Sequence, residues 1–246
     1  MRYFIKLSYN GEAYHGWQVQ PNAITVQEVI EDALSKLLNE SISITGAGRT
    51  DTGVHAKEMY AHFEISNSVE TSQLMYKLNA FLPSDIAIHD MYTVPDDHHA
   101  RFSATSRTYE YHITIKKDPF KSKSAYYFKL PLDLVKMNEA AELLLDYKNF
   151  KCFSRSNTDV KTYYCDISFA NWELKDNLLV FTIKADRFLR NMVRAIVGTL
   201  IDIGIGKTSI DELKEIIESE NRSNAGASAP AHGLYLTQIS YPEINE

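Results

Sequence analysis

The chain has 246 residues, of which 44% are hydrophobic, and carries a net charge of −6. That is enough for one large core or two modest ones, and no apolar run approaches the roughly 18 residues that span a bilayer. Two cysteines, Cys152 and Cys165, fit a reducing cytoplasm and supply neither a disulfide nor a zinc framework.

The N-terminal run from Tyr3 to Tyr9 alternates with period two and carries Lys6, so it reads as a half-buried strand and not as a signal peptide. A helix follows, opened by a Thr25–Glu28 capping box and carrying Val26, Val29, Ile30, Ala33, Leu34, Leu37 and Leu38 as one apolar stripe. Two strand-like runs, Ser41 to Thr45 and Met59 to Ile65, flank a glycine-rich loop at Gly46-Ala47-Gly48-Arg49-Thr50-Asp51-Thr52-Gly53-Val54-His55-Ala56. A helix is predicted over Ser72 to Phe81, stopped by Pro83, then a strand over Ile86 to Val94.

The second half opens with alternation over Tyr109 to Ile115, then a helix over Asp133 to Asp146. Strands are expected over Asp166 to Leu174 and Leu178 to Ala185, joined by a turn at Asp176-Asn177. The most helix-like apolar run is Phe188 to Ile203, ended by Gly204 and Gly206. Ser209 and Glu212 cap a short acidic helix, and Tyr235 to Tyr241 returns as a last strand. Strand-helix-strand-strand in each half predicts an α+β (α/β) chain of two tandem, similar units with mainly antiparallel sheets. The expected units are residues 1–104 and 105–246. Charge is uneven: His99 to Leu130 holds seven Lys or Arg against two acidic residues, a local +5, whereas Thr208 to the end is a local −5.

The loop around Asp51 is the chemical focus, because glycines let one carboxylate be presented at a tip. Gly48 and Gly53 have phosphate-loop spacing, but Val54-His55 replaces the required Lys and Ser/Thr. Gly46-Ala47-Gly48 starts a dinucleotide fingerprint and then puts Asp51 where the third glycine belongs. A glycosidase needs a second carboxylate, and Glu58 falls on the next strand. Asp96-Asp97-His98-His99 alternates along extended chain and reads as surface polarity, so no metal, nucleotide or redox cofactor is expected.

A lone aspartate can act as a nucleophile when a cation keeps it ionised. On a helix, Arg187, Arg190 and Arg194 share one face at i, i+3 and i+7, with Leu189, Met192, Val193, Ile196 and Val197 turned to the core. Tyr109 and Tyr111 lie two apart on one strand, where both rings project from one face as stacking platforms for unpaired bases, beside Arg101 and Arg107.

With these blocks in hand, the chain resembles the TruA family of tRNA pseudouridine synthases. Gly48-Arg49-Thr50-Asp51-Thr52-Gly53-Val54-His55-Ala56 is similar to the family's catalytic motif. Five further blocks follow the family order: Tyr9-Asn10-Gly11 with Tyr14-His15-Gly16-Trp17-Gln18; Asn79-Ala80-Phe81-Leu82-Pro83-Ser84-Asp85-Ile86; His99-Ala100-Arg101-Phe102-Ser103-Ala104 leading to Arg107-Thr108-Tyr109-Glu110-Tyr111; Phe188-Leu189-Arg190-Asn191-Met192-Val193-Arg194; and Ala229-Pro230-Ala231-His232-Gly233-Leu234-Tyr235. The resemblance implies the pseudouridine synthase fold, with a cleft between its two units, and isomerisation of uridine to pseudouridine at positions 38 to 40 of the tRNA anticodon arm. It implies Asp51 as nucleophile, Arg194 as its ion-pair partner and Tyr109 against the flipped uridine. Arg49 would hold the RNA as the base leaves, with Arg101 and Arg155 as tRNA contacts. It also implies a cytoplasmic homodimer that works without cofactor or metal and acts on tRNA. A non-catalytic RNA-binding or RNA-folding protein is the alternative, because the same basic, aromatic surface would serve it.

Overall fold

A computed structural model describes residues 1–156 and 160–242. The chain divides into two compact units, Met1–Thr105 with Tyr235–Glu246, and Ser106–Leu234. It is an α+β protein with mainly antiparallel strand pairing in each unit.

In the first unit β1 (Arg2–Tyr9) is the central strand, antiparallel to both β3 (His55–Glu64) and β4 (Ile86–Val94). The short β2 (Thr45–Gly46) pairs with β3 at His62 and Ala61. The alternation read from Tyr3 to Tyr9 holds from Ile5 onward, where Ile5, Leu7 and Tyr9 are buried and Lys6 and Ser8 are not; before it Tyr3 and Phe4 are both buried, so this central strand is covered on both faces there. Helix α1 (Val26–Leu38) buries Val26, Ile30, Ala33 and Leu34 and packs on α2 (Thr71–Phe81), which lies on β4. Asn79 of α2 satisfies both backbone groups of Ile88, its amide donating to the carbonyl and accepting the N–H, each at 2.8 Å. A helix side chain thus fastens the element to its strand.

Two local expectations are corrected here. Of the run Ser41 to Thr45 only Thr45 is strand, in β2; residues 41–44 are not, because α1 takes their backbone groups. The Ile42 N–H donates to Ser35 Oγ (2.9 Å), the Ile44 N–H to Glu31 Oε1 (2.8 Å), and the Ile44 carbonyl accepts Gln27 Nε2 (3.0 Å). At the start of α1 Thr25 accepts the Glu28 N–H at 3.3 Å. Both arms of a capping box close instead at Ser209 and Glu212, the start of α5 (Ile210–Glu218).

In the second unit β8 (Leu178–Ala185) is central, antiparallel to β5 (Ser106–Thr114) and β7 (Ile167–Lys175), and β6 (Tyr126–Tyr127) runs parallel to β5. Helix α3 (Leu134–Leu143) ends in a turn of 3₁₀ helix, Leu144–Asp146, so the predicted helix is shorter in its α-helical part. It packs on β7 and on α4 (Met192–Gly204). Asn138 of α3 repeats the fastening seen in the first unit, taking the Trp172 N–H at 2.7 Å and donating to its carbonyl at 3.1 Å. Cys152 and Cys165 are buried free thiols, and burial pushes each up to about 12.

The last strand, β9 (Leu234–Ser240), runs parallel to β3, with Tyr235 opposite His55 and Leu236 opposite Ala56. Residues 235–246 therefore go with the first unit, whereas the sequence groups them with 105–246. Among the described residues no helix is long and apolar enough to cross a membrane.

Candidate active site

Asp51 stands in the loop between β2 and β3, half-buried, and its carbonyl accepts the Val54 N–H at 3.1 Å to close a tight turn. The loop rests on residues 9 to 17. Thr50, beside Asp51, is buried; its hydroxyl meets the Tyr9 hydroxyl at 2.8 Å and its carbonyl accepts the Trp17 N–H at 3.2 Å. The Gly53 N–H donates to the Tyr14 carbonyl at 3.3 Å, and the Tyr14 hydroxyl to Asp85 at 2.6 Å. That bond and burial, burial foremost, hold the Tyr14 hydroxyl protonated far above the ordinary tyrosine range.

Gly16 explains how close this contact is. Its φ of +86° is left-handed, and a Cβ there would lie 2.3 Å from the Thr50 carbonyl oxygen. Arg49 is exposed on the same loop, its Nε donating to Gln18 Oε1 at 3.1 Å. Arg101, also in the first unit, lies exposed in the turn that follows His99.

The second unit holds Tyr109, Arg155 and Arg194. Its lead-in to α4 is where the helical prediction fails. α4 starts at Met192, not at Phe188, with Asn191 before it in the left-handed conformation (φ 65°, ψ 3°). Arg187 and Arg190 therefore precede the helix, and the shared face of three arginines does not exist; Arg194 alone is helical. The apolar side is as expected: Leu189, Met192, Val193, Ile196 and Val197 are buried. Arg155 sits beside the non-helical lead-in, its N–H donating to the Arg190 carbonyl at 3.0 Å.

Arg194 is fixed to the segment after α5 by a reciprocal pair. Its Nε donates to the Ala229 carbonyl at 2.7 Å, and its carbonyl accepts the Ala229 N–H at 2.9 Å. Asn191 reaches Ser228 Oγ at 2.6 Å. Tyr111 on β5 is fully buried and donates its hydroxyl to the Pro230 carbonyl at 2.8 Å. Burial drives that hydroxyl upward, against the pull of the Arg194 charge. Tyr111 is therefore a strut and not a stacking platform. Tyr109, two residues earlier, stays half-buried with Phe188 edge-on to it at 5.2 Å. His232 is held below the usual histidine value, first by burial and then by the Arg194 and Lys123 charges.

Sequence reading missed several supports: Tyr9, Thr50 and Gly16 beneath the Asp51 loop, and Ser228, Ala229 and Pro230 around Arg194. All but Ser228 lie inside blocks already quoted, at positions that carried no role there, so only the fold gives them one. Among the described residues no cluster of three or more His, Cys, Asp or Glu is placed to hold a metal ion.

Two α+β units with antiparallel sheets, one presenting a buttressed aspartate loop and the other an anchored arginine, define an RNA-modifying class when set beside known proteins. Residues 6–103 and 140–242 match the family described as tRNA pseudouridine synthase. The chain is 51% identical to a tRNA pseudouridine synthase A of Parabacteroides distasonis, covering 98% of this chain and 96% of that one. It is 50% identical to that of Bacteroides fragilis (98% and 97%) and 41% identical to that of Acetivibrio thermocellus (96% and 97%). The chain belongs to the tRNA pseudouridine synthase family, isomerases that convert uridine to pseudouridine in tRNA.

Proposed function

We propose that this enzyme acts on uridines 38, 39 and 40 of the tRNA anticodon arm, with Asp51 as the nucleophile. The reaction breaks the C–N glycosidic bond and rejoins the same uracil through C5, with no net redox change and no hydrolysis. It needs an ionised carboxylate and a site that retains the detached base. The observation that carries the reading is the buttressed loop: a half-buried Asp51 on a turn whose neighbour Thr50 is pinned through both its hydroxyl and its carbonyl. Such rigidity suits a group that must meet one reacting atom.

Arg194 serves as the cation that keeps Asp51 ionised, and Tyr109 contacts the flipped uridine. Extrusion of that base costs a few kcal/mol, offset in part by pocket contacts and by Arg49, which holds the RNA as the base leaves. Arg101 and Arg155 take phosphates, which position the tRNA without reading its sequence. The enzyme works in the cytoplasm as a homodimer and uses no cofactor.

The test is tritium release from tRNA labelled at uracil C5. Wild type releases tritium from positions 38 to 40; Asp51→Asn releases none and still binds tRNA. Full release by Asp51→Asn, or labelled positions elsewhere in the tRNA, overturns the assignment.

A further inference from the structure

We infer that Phe102, held beside Arg101 on the 98–103 turn, is a stacking site for an unpaired base of the tRNA, separate from the uridine that reacts. The inference rests on the RNA-modifying reading above and adds a base-binding position to it.

The turn is over-determined. All six N–H groups from His98 to Ser103 have acceptors: Pro95 O (3.0 Å), Ser103 Oγ (2.9 Å), His62 Nδ1 (3.1 Å), His99 Nδ1 for both Arg101 (3.1 Å) and Phe102 (3.3 Å), and His99 O (2.9 Å). Arg2 donates to the His98 carbonyl and Tyr241 to the Ala100 carbonyl, each at 2.6 Å. Ala100 is fully buried and plugs the turn into its unit. Because His62 and His99 accept through Nδ1, both rings are neutral Nε2–H tautomers here. Burial favours the same state in both.

What this rigid frame presents is an apolar ring in water: Phe102 is 76% exposed. The His99 ring supports one side at 4.4 Å, and the Arg101 guanidinium carbon lies 5.6 Å from the Phe102 centroid. A fixed aromatic with a guanidinium 5.6 Å from its centroid matches a nucleobase and its phosphate, and loses little entropy on binding. Charge agrees, since the Arg101 guanidinium beside the ring is cationic and a tRNA phosphate is anionic. A second copy of this chain could also cover an exposed ring, and the experiment separates the two.

Phe102→Ala, Phe102→Leu and Phe102→Trp are compared by tritium release and by sedimentation. Loss of one stacked base raises KM for tRNA by about tenfold in Phe102→Ala, with the change in KM and not kcat. Phe102→Trp restores KM and Phe102→Leu, apolar but without a π face, does not. Both native tryptophans, Trp17 and Trp172, are buried, so the Phe102→Trp indole gives a distinct fluorescence that anticodon-arm RNA quenches. An unchanged KM in Phe102→Ala, restoration by Phe102→Leu, or an unquenched indole overturns the inference. So does a shift toward monomer in Phe102→Ala. Should wild type release no tritium, the isomerase assignment fails by itself, and indole quenching by RNA still decides the stacking site.

Discussion

His62 illustrates what one side chain contributes beyond its place in a pattern. It sits on β3, 7% exposed, with the His99 ring edge-on at 4.6 Å and its Nδ1 accepting the Ala100 N–H. Burial, with neighbouring His99 and Arg2 helping and Glu64 opposing, lowers it from 6.5 to about 4. In the unfolded chain it takes up a proton near 6.5, while the folded chain resists until near 4. The unfolded state therefore binds more protons in that window, and stability is full above about 6.5 and is lost as pH falls toward 4. His99 and His232 are lowered too and add the same sign. Urea midpoints at pH 7.5 and pH 5 should fall for wild type, and fall less for His62→Asn, whose amide oxygen keeps an acceptor for Ala100. Equal losses in both proteins would refute the assignment. None of this was legible in the sequence, where His62 is one polar residue on an alternating strand. The loop that presents Asp51 was legible, because glycines on both sides of a carboxylate mark a tight turn between strands. Its buttress was not, because Tyr9, Gly16 and Thr50 are separated from each other by up to the whole of α1.

At the scale of elements, patterns with a single periodicity were read correctly and competing local bonds caused the failures. β1, α2, β4 and β8 fall where alternation or the apolar stripe puts them. Ser41 to Thr45 has strand-like composition, yet polar side chains of α1 consume the backbone groups of residues 41–44, and Phe188 to Asn191 has helical composition, yet Asn191 turns left-handed. The second error mattered chemically, since it removed the supposed arginine face and left Arg194 anchored by Ala229. The same region carries a close approach that tests the account. A Cβ on Gly198 would lie 1.7 Å from the Ala227 carbonyl oxygen, one turn beyond Arg194 on α4. Alanine favours a helix over glycine by about 1 kcal/mol, whereas forcing backbone apart in a packed interior costs about 1–3 kcal/mol or more. The clash wins at a separation this short. Gly198→Ala should lower Tm by several degrees and reduce kcat, because Ala229 moves with Ala227 and carries the Arg194 hydrogen bonds. A thermal scan and tritium release measure the two effects; a rise in Tm would show that residues 225–229 yield freely.

The whole molecule departs from a tandem reading because its first unit is discontinuous in sequence. β9 closes beside the start of β3, and the Tyr235 ring stacks on His55 at 4.7 Å, one strand residue past the Asp51 loop. Chain order gives no hint of this, since a seven-residue alternating run can join either unit. Charge is also a property of the whole. A net −6 repels RNA at long range, so binding must come from local basic segments, and its salt dependence counts the phosphates they neutralise. If the proposed RNA contacts at Arg49, Arg101 and Arg155 each neutralise one phosphate, the slope of log K against log salt should be about −2 to −3, at roughly −0.7 to −0.9 per contact. Filter binding of tRNA between low and moderate salt measures it. Arg101→Ala should flatten the slope by about 1 and weaken all tRNAs alike, because a phosphate contact carries no sequence information. Phe102→Ala should weaken binding without changing the slope, since stacking releases no counterions. Parallel losses of slope in both variants would mean that the 98–103 turn had collapsed as a unit, and that its two side chains do not act as separate contacts.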